Sequence, residues 1–224
     1  RPVYCVIKIQ GIHENQKNGE KKIPFILRMA VGAGSDEVQF THTFLYDGDP
    51  DRDYLKGLGI RFSCPMKGPM YNRHVKFGVD HGMFHEAMNL LLTWHPPVRQ
   101  DIYDAQISGE KLDLSEEADG AVLRSVKEMP TWSHYSLVQD SPTHFAVRKK
   151  VDEESCCYLD AMHGYRAPGY AAMGGENGGL MFARRDFWQK YPSGFWMNGI
   201  SRDMAEATVW FWAPEAEAMD FRHY

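Results

Sequence analysis

Apolar and polar positions alternate in short runs along most of the chain, and turn residues separate the runs. Val3 to Ile9 alternates and closes at Gln10-Gly11, and Asn15 to Lys22 reads as a charged hairpin tip around Asn18-Gly19. Ile23 to Val31 and Glu37 to Tyr46 follow as strands, parted by Gly32-Ala33-Gly34-Ser35 and ended by Asp47-Gly48-Asp49-Pro50. Leu58 to Cys64 and Tyr71 to Val79 read as two more. Further on, Trp132 to Val151 turns at Asp140-Ser141-Pro142, and Glu154 to Ala161, Gly179 to Arg184, Phe195 to Ile200 and Glu206 to Trp212 complete the set. This spacing predicts about ten to thirteen strands in a large antiparallel two-sheet β-sandwich, an all-β fold built as one domain over 1–224.

Two stretches break the alternation. Phe84, Ala87, Met88, Leu91 and Leu92 recur at helical spacing until Pro96-Pro97, which predicts a short helix or irregular lobe over Phe84 to Thr93. Asp101 to Glu128 is acidic, with Leu112, Leu114, Val122 and Val126 as its apolar anchors. It reads as a long surface excursion, partly helical.

The 224 residues are 43% hydrophobic, enough for a sizeable core. A net charge of −5 argues against a nucleic-acid partner, which would require clustered Lys and Arg. It leaves an acidic sugar open, because a few local cations suffice for one carboxylate. The 6 Trp, 11 Tyr and 12 Phe suit core packing and cross-strand pairs, and they also stack on sugar faces. The 4 cysteines, Cys5, Cys64, Cys156 and Cys157, include no CxxC pair. Neighbours on a strand point to opposite faces, so Cys156 and Cys157 are poorly placed to bond each other, and the pattern of four fits buried free thiols, with one long-range disulfide left open. No apolar run reaches the length of a membrane span, so no membrane partner is expected. No signal peptide is visible, as is also expected of a domain taken from the middle of a secreted protein.

The last third carries the candidate chemistry. It reads Arg166-Ala167-Pro168-Gly169-Tyr170, then Arg184-Arg185-Asp186-Phe187-Trp188-Gln189-Lys190-Tyr191-Pro192, and closes Pro214-Glu215-Ala216-Glu217-Ala218-Met219-Asp220-Phe221-Arg222-His223-Tyr224. These blocks predict a short helical turn packed through Phe187 and Trp188, followed by two final strands. The stretch resembles the central β-sandwich of rhamnogalacturonan exolyase-like proteins, and Phe84-His85-Glu86-Ala87 adds a weaker likeness. The resemblance implies a small β-barrel domain before this chain, an α/α toroid after it, and an extracellular or periplasmic protein. It also implies β-elimination on an acidic polysaccharide, with the sandwich as one wall of the cleft and no cofactor. Such chemistry needs a cation on the uronate carboxylate, a base for the C5 proton and an acid for the leaving oxygen.

Candidate substrate-binding residues on this basis are Arg166, Arg185, Trp188, Tyr191, Arg222, His223 and Tyr224, with His163 and Tyr165 nearby. No catalytic role is assigned to any of them. Arg185-Asp186 also suits an ion pair anchoring a turn. Trp188 and Tyr191, three apart, suit core packing, and Arg222-His223-Tyr224 suits a contact with a following domain. Arg166 stands out because it lies beside a Gly/Pro loop with no evident core role.

Other patterns lead less far. His81 and His85 are four apart beside Glu86, a zinc-like spacing on a helix, but the order is not His-Glu-x-x-His and no third ligand is evident. Gly174-Gly175-Glu176-Asn177-Gly178-Gly179 reads as a hairpin turn rather than a phosphate cradle. No Gly-x-Ser-x-Gly elbow is present. A glycoside-hydrolase sandwich would need two carboxylates across a cleft, for which Glu176 and Asp186 stand as candidates without a pairing. A scaffold or glycan-binding module without chemistry is the remaining alternative.

Overall fold

The computed structural model describes residues 3–91, 97–115 and 120–223. The chain divides into two compact units, residues 1–55 with 220–224 and residues 56–219.

The first unit is a three-stranded antiparallel sheet in the order β1-β2-β3, built from β1 (Tyr4–Glu14), β2 (Lys21–Gly32) and β3 (Val38–Phe44). Asn15 and Asn18 make the β1–β2 turn, accepting the backbone N–H groups of Lys17 and Glu20 on their side-chain oxygens. Cross-strand register places Ile7, Met29 and Phe40 side by side, and Ile9, Leu27 and His42 beside them, so one face is almost wholly apolar. Phe221 returns to this unit and stacks on Tyr46 at 3.8 Å.

The second unit is the sandwich. Its strands are β4 (Leu58–Pro65), β5 (His74–Val79), β6 (Gly82–Ala87), β7 (Trp132–Ser141), β8 (His144–Val151), β9 (Leu159–Gly164), β10 (Tyr170–Gly175), β11 (Gly178–Ala183), β12 (Ser193–Asn198) and β13 (Met204–Trp212). Four form a sheet in the order β11-β10-β5-β6, and six form a sheet in the order β4-β13-β12-β7-β8-β9. All pairings are antiparallel. Val75 and Phe77, with Ala171 and Met173, face Tyr135, Leu137, Phe145, Phe195 and Met197 in one buried core. The fold is therefore all-β, as the spacing predicts, with three sheets in place of two.

Three local expectations are corrected. Phe84 to Ala87 is strand, not helix: β6 pairs with β5 from Val79↔Gly82 to His74↔Ala87. The helical spacing arises because Phe84 and Met88 join the sandwich core while Leu91 joins a different cluster. Residues Leu92 and Thr93 lie outside the described residues. The acidic stretch is partly helical as expected, holding α1 (Gln100–Ser108) and α2 (Gly120–Glu128). It is no bare excursion, since Leu91, Val98, Ile102, Leu112, Leu114 and Val122 give it a small core of its own. The cysteines are all free, but only Cys64 is buried, and Cys156 and Cys157 precede β9 instead of lying in a strand.

Buried polar side chains tie these parts together. Gln106 on α1 accepts from Leu91 N–H and donates to the carbonyls of Tyr71 and Asn89. Arg73, 5% exposed, donates to the carbonyls of Gly68, Ile200 and Arg202 at 3.0, 2.9 and 2.7 Å. Its guanidinium replaces the hydrogen bonds that these loop carbonyls would otherwise make to water. Arg73→Met keeps the stem but leaves three carbonyls without that donor, and is expected to lower stability by about 3 kcal/mol. Urea denaturation reads the loss, and exposed Arg61→Met serves as the control with a change below about 0.5 kcal/mol.

Asp152 caps the end of β8 by accepting from Arg202 at 2.6 and 3.0 Å, with His134 and Ser201 also in reach. The Arg202 hydrogen bonds, helped by His134, hold its carboxyl down to about 2. A depressed carboxyl stabilises the fold above its unfolded pKa near 4, and that contribution is lost as pH falls through about 2. Because the carboxylate is 33% exposed, the contribution is discounted for solvent screening to about 1 kcal/mol. Asp152→Asn is expected to cost that amount near neutral pH. The gap to the wild type should close as urea titrations are taken below about pH 3.

Candidate functional site

Antiparallel pairing makes β5 a two-faced strand. Val75, Phe77 and Val79 point into the core, so His74 and Lys76 must stand on the outer face of the four-stranded sheet. There they border a groove of about 420 Å³. Its floor is bare where Gly174 and Gly179 pair across β10 and β11. The hairpin demands this: a Cβ on Gly179 would lie 2.1 Å from the Met173 carbonyl. The predicted hairpin at Gly174–Gly179 is thus present, and it forms one bank of the groove through Glu176. Glu110 and Lys111, just beyond α1, form the other. Gly109 ends α1 with a φ of 80° and presents no side chain toward Lys76 Nζ and His85.

The charges are unevenly paired. Glu176 accepts from Asn72 at 2.8 Å and lies 3.5 Å from Lys111. Asn72 in turn exchanges two hydrogen bonds with the Leu112 backbone, so the helical lobe and the β10–β11 turn are fastened together. Lys76 has no carboxylate partner among the described residues. Across the strands, His74 Nδ1 lies 2.8 Å from His85 Nε2. Burial first, then His85 and Lys76, push His74 down to about 4. Burial and Lys76 also lower His85, against a hydrogen bond to the Ile107 backbone. Both rings are neutral near pH 7. An unpaired ammonium beside a neutral imidazole, next to a strip bared by Gly174 and Gly179, suits a carboxylated ligand.

The histidine pair also settles the metal-like spacing of the sequence. His81 sits in the β5–β6 turn and His85 on β6, so the two do not share a helix face. Among the described residues no group of three His, Cys, Asp or Glu is placed to hold a metal ion.

The residues singled out in the last third fall into separate places. Arg166 and Trp188 come together: the guanidinium carbon lies 4.0 Å over the Trp188 ring and 4.7 Å from that of Tyr165. Arg166 Nε also donates to the Pro142 carbonyl at 3.2 Å. This is an exposed cation stacked between two rings. Arg185 and Tyr191 are exposed at the two ends of the 185–190 turn, where Asp186 pairs with Lys190 at 3.0 Å. Phe187, the buried anchor of that turn, stacks on Phe195 at 4.9 Å. Arg222 belongs to the first unit and is held by Asp220 at 2.6 Å, which raises its already high pKa. His223 ends a 3-10 turn, Phe221–His223, and Tyr224 lies outside the described residues. His163 meets His144 at 3.0 Å. Glu176 and Asp186 are engaged with different partners, Asn72 and Lys190.

Sequence reasoning passes over His74, Lys76 and Arg184. Arg184 is a structural clamp: it donates to Ser193 Oγ and to the Trp210 and Phe211 carbonyls, and burial lowers it to about 10. His74 and Lys76 carry one legible signal, a polar residue on every second position of an otherwise apolar strand.

Comparison with known proteins follows the geometry. A family model described as "PcRGLX-like protein central beta sandwich domain" matches residues 1–224, so the likeness carried by the last sixty residues extends over the whole chain. "Uncharacterized protein YetA" of Bacillus subtilis (strain 168) is 36% identical over 223 residues. That alignment covers 100% of this chain and 26% of the relative, so the chain spans about a quarter of the relative's length. The chain belongs to the PcRGLX-like family, as its central β-sandwich domain.

Proposed function

We propose that the chain is the central sandwich of a polysaccharide lyase that acts on rhamnogalacturonan or a related acidic glycan by β-elimination. In this reading it forms one wall of the cleft and packs on a catalytic α/α toroid of the same extracellular or periplasmic protein. Family membership supplies the glycan context. The observation that carries a glycan contact is the groove in which Lys76, free of any carboxylate partner among the described residues, stands opposite Ala172 and beside the paired Gly174 and Gly179. A uronate carboxylate supplies the missing partner, and the glycine pair beside it leaves room for a sugar ring. The exposed Arg166–Trp188 stack offers a second contact of the same chemistry, a cation beside an aromatic face.

A scaffold role without glycan contact has one observation in its favour. Arg184 and Arg222 both spend their hydrogen bonds within the chain.

The complete protein, given rhamnogalacturonan, is expected to release unsaturated uronate, followed by ultraviolet absorbance, while the isolated chain releases none. Lys76→Met should lower kcat/KM about tenfold through loss of one charge-assisted hydrogen bond. Arg166→Ala should raise KM a few-fold, and Arg222→Ala should leave both constants within about twofold. Absence of unsaturated product from every uronate polymer tried would sink the lyase reading. Unchanged kinetics in Lys76→Met and Arg166→Ala, with product formed, would leave the scaffold role.

A further inference from the structure

The groove is flanked by two histidines, but only His74 lines it. Its Nδ1 lies 2.8 Å from His85 Nε2, so one ring nitrogen is engaged across the strands. In the tautomer that donates from Nδ1 to His85, His74 Nε2 carries the lone pair. A ring oriented and fixed in one tautomer through its far nitrogen is the arrangement that general bases use.

We infer that His74 Nε2 is a proton acceptor for a uronate bound in the groove, that Lys76 receives the carboxylate of that uronate, and that His85 is a positioning residue acting through His74. The inference rests on the lyase reading and assigns its base to this domain. The C5–H bond breaks and its proton passes to His74 Nε2. The electron pair left on C5 forms the C4=C5 double bond, the C4–O glycosidic bond breaks, and the leaving oxygen takes a proton from water. Negative charge spreads from C5 onto the carboxylate during this step, and the Lys76 ammonium stabilises it where it accumulates. The groups facing His74 are Lys76 on its own strand, His85 on β6, Glu110 and Lys111 beyond α1, and Glu176 in the β10–β11 turn. Lys111 and Glu176 offset one another at 3.5 Å, and burial first, then His85 and Lys76, keep the ring neutral.

The test uses the complete protein on rhamnogalacturonan. His74→Gln is expected to lower kcat by about 100-fold or more with KM within about threefold, because glutamine keeps polarity and bulk but cannot take the proton. His74→Ala should regain part of that loss when imidazole is added, which a merely structural histidine would not show. His85→Gln leaves His74 in place. It should move the acidic limb of the kcat/KM profile and lower kcat about tenfold, and this readout survives even if the His74 variants fold poorly. If wild type forms unsaturated product while His74→Gln keeps kcat within about threefold and His85→Gln leaves the pH profile in place, the inference falls and the lyase reading stands. If wild type forms no unsaturated product, both fall together.

Discussion

Everything that gives this sandwich an outer surface worth using depends on the alternation of one strand. β5 pairs with β10 on one side and β6 on the other, so its backbone is satisfied in both directions and its register is fixed. Val75 and Phe77 are fully buried beneath it. A slip of one residue would drive His74 and Lys76 into the core and throw Phe77 into water. Burying one large apolar side chain is worth about 1.5–3 kcal/mol, and that penalty locks the register. The chemistry of the outer face is thus set by the packing of the inner one. The groove requires no framework of its own.

The second constraint is how the layers and the helical lobe are joined. On the inner side, Glu86 of β6 accepts from the Tyr135 hydroxyl at 2.7 Å and pairs with Lys149, whose ammonium lies 4.2 Å from the centre of the Trp132 ring. The four-stranded sheet supplies the carboxylate, and the six-stranded sheet supplies the hydroxyl, the ammonium and the ring. Such a tie contributes orientation more than net stability, since desolvating the charges costs much of what pairing returns. On the outer side, Asn72, Gln106 and Asn89 do the same work with neutral amides bound to backbone. These amides bring Glu110 and Lys111 to the groove. They also give the lobe a fixed place despite its small core.

Much of this was legible in the sequence wherever one physical signal acted alone. Strands such as Trp132 to Val151 show because one face is apolar and the ends carry turn residues. The Gly174–Gly179 hairpin shows because its glycines have no other use. At β6 the pattern misleads, because Phe84, Met88 and Leu91 serve two different cores while their spacing mimics a single helix face. The stretch 101–128 has too few apolar residues to show a core by itself, because Leu91 and Val98 complete that core from outside it. The last sixty residues pointed to the family through their own motifs. The groove could not be read at all, since β5, the end of α1 and the β10–β11 turn meet there from positions around 74, 110 and 176. No linear spacing joins them.

The electrostatics of the groove follow from the same separation. A chain of net charge −5 does not draw an acidic polymer by its overall field. Attraction has to be local. Lys111 is partly spent on Glu176, so the effective cation is Lys76, and a lysine suits that place better than an arginine would. Arginine's fork grips a ground-state carboxylate in two bonds, which favours binding. A single ammonium is a point charge, and its attraction grows as charge builds on the carboxylate while C5 loses its proton. Binding by Arg166 at a distance from the groove and charge stabilisation by Lys76 within it would then divide the task. The stacked arginine would hold the chain of sugars, and the lone lysine would act on the one being cut.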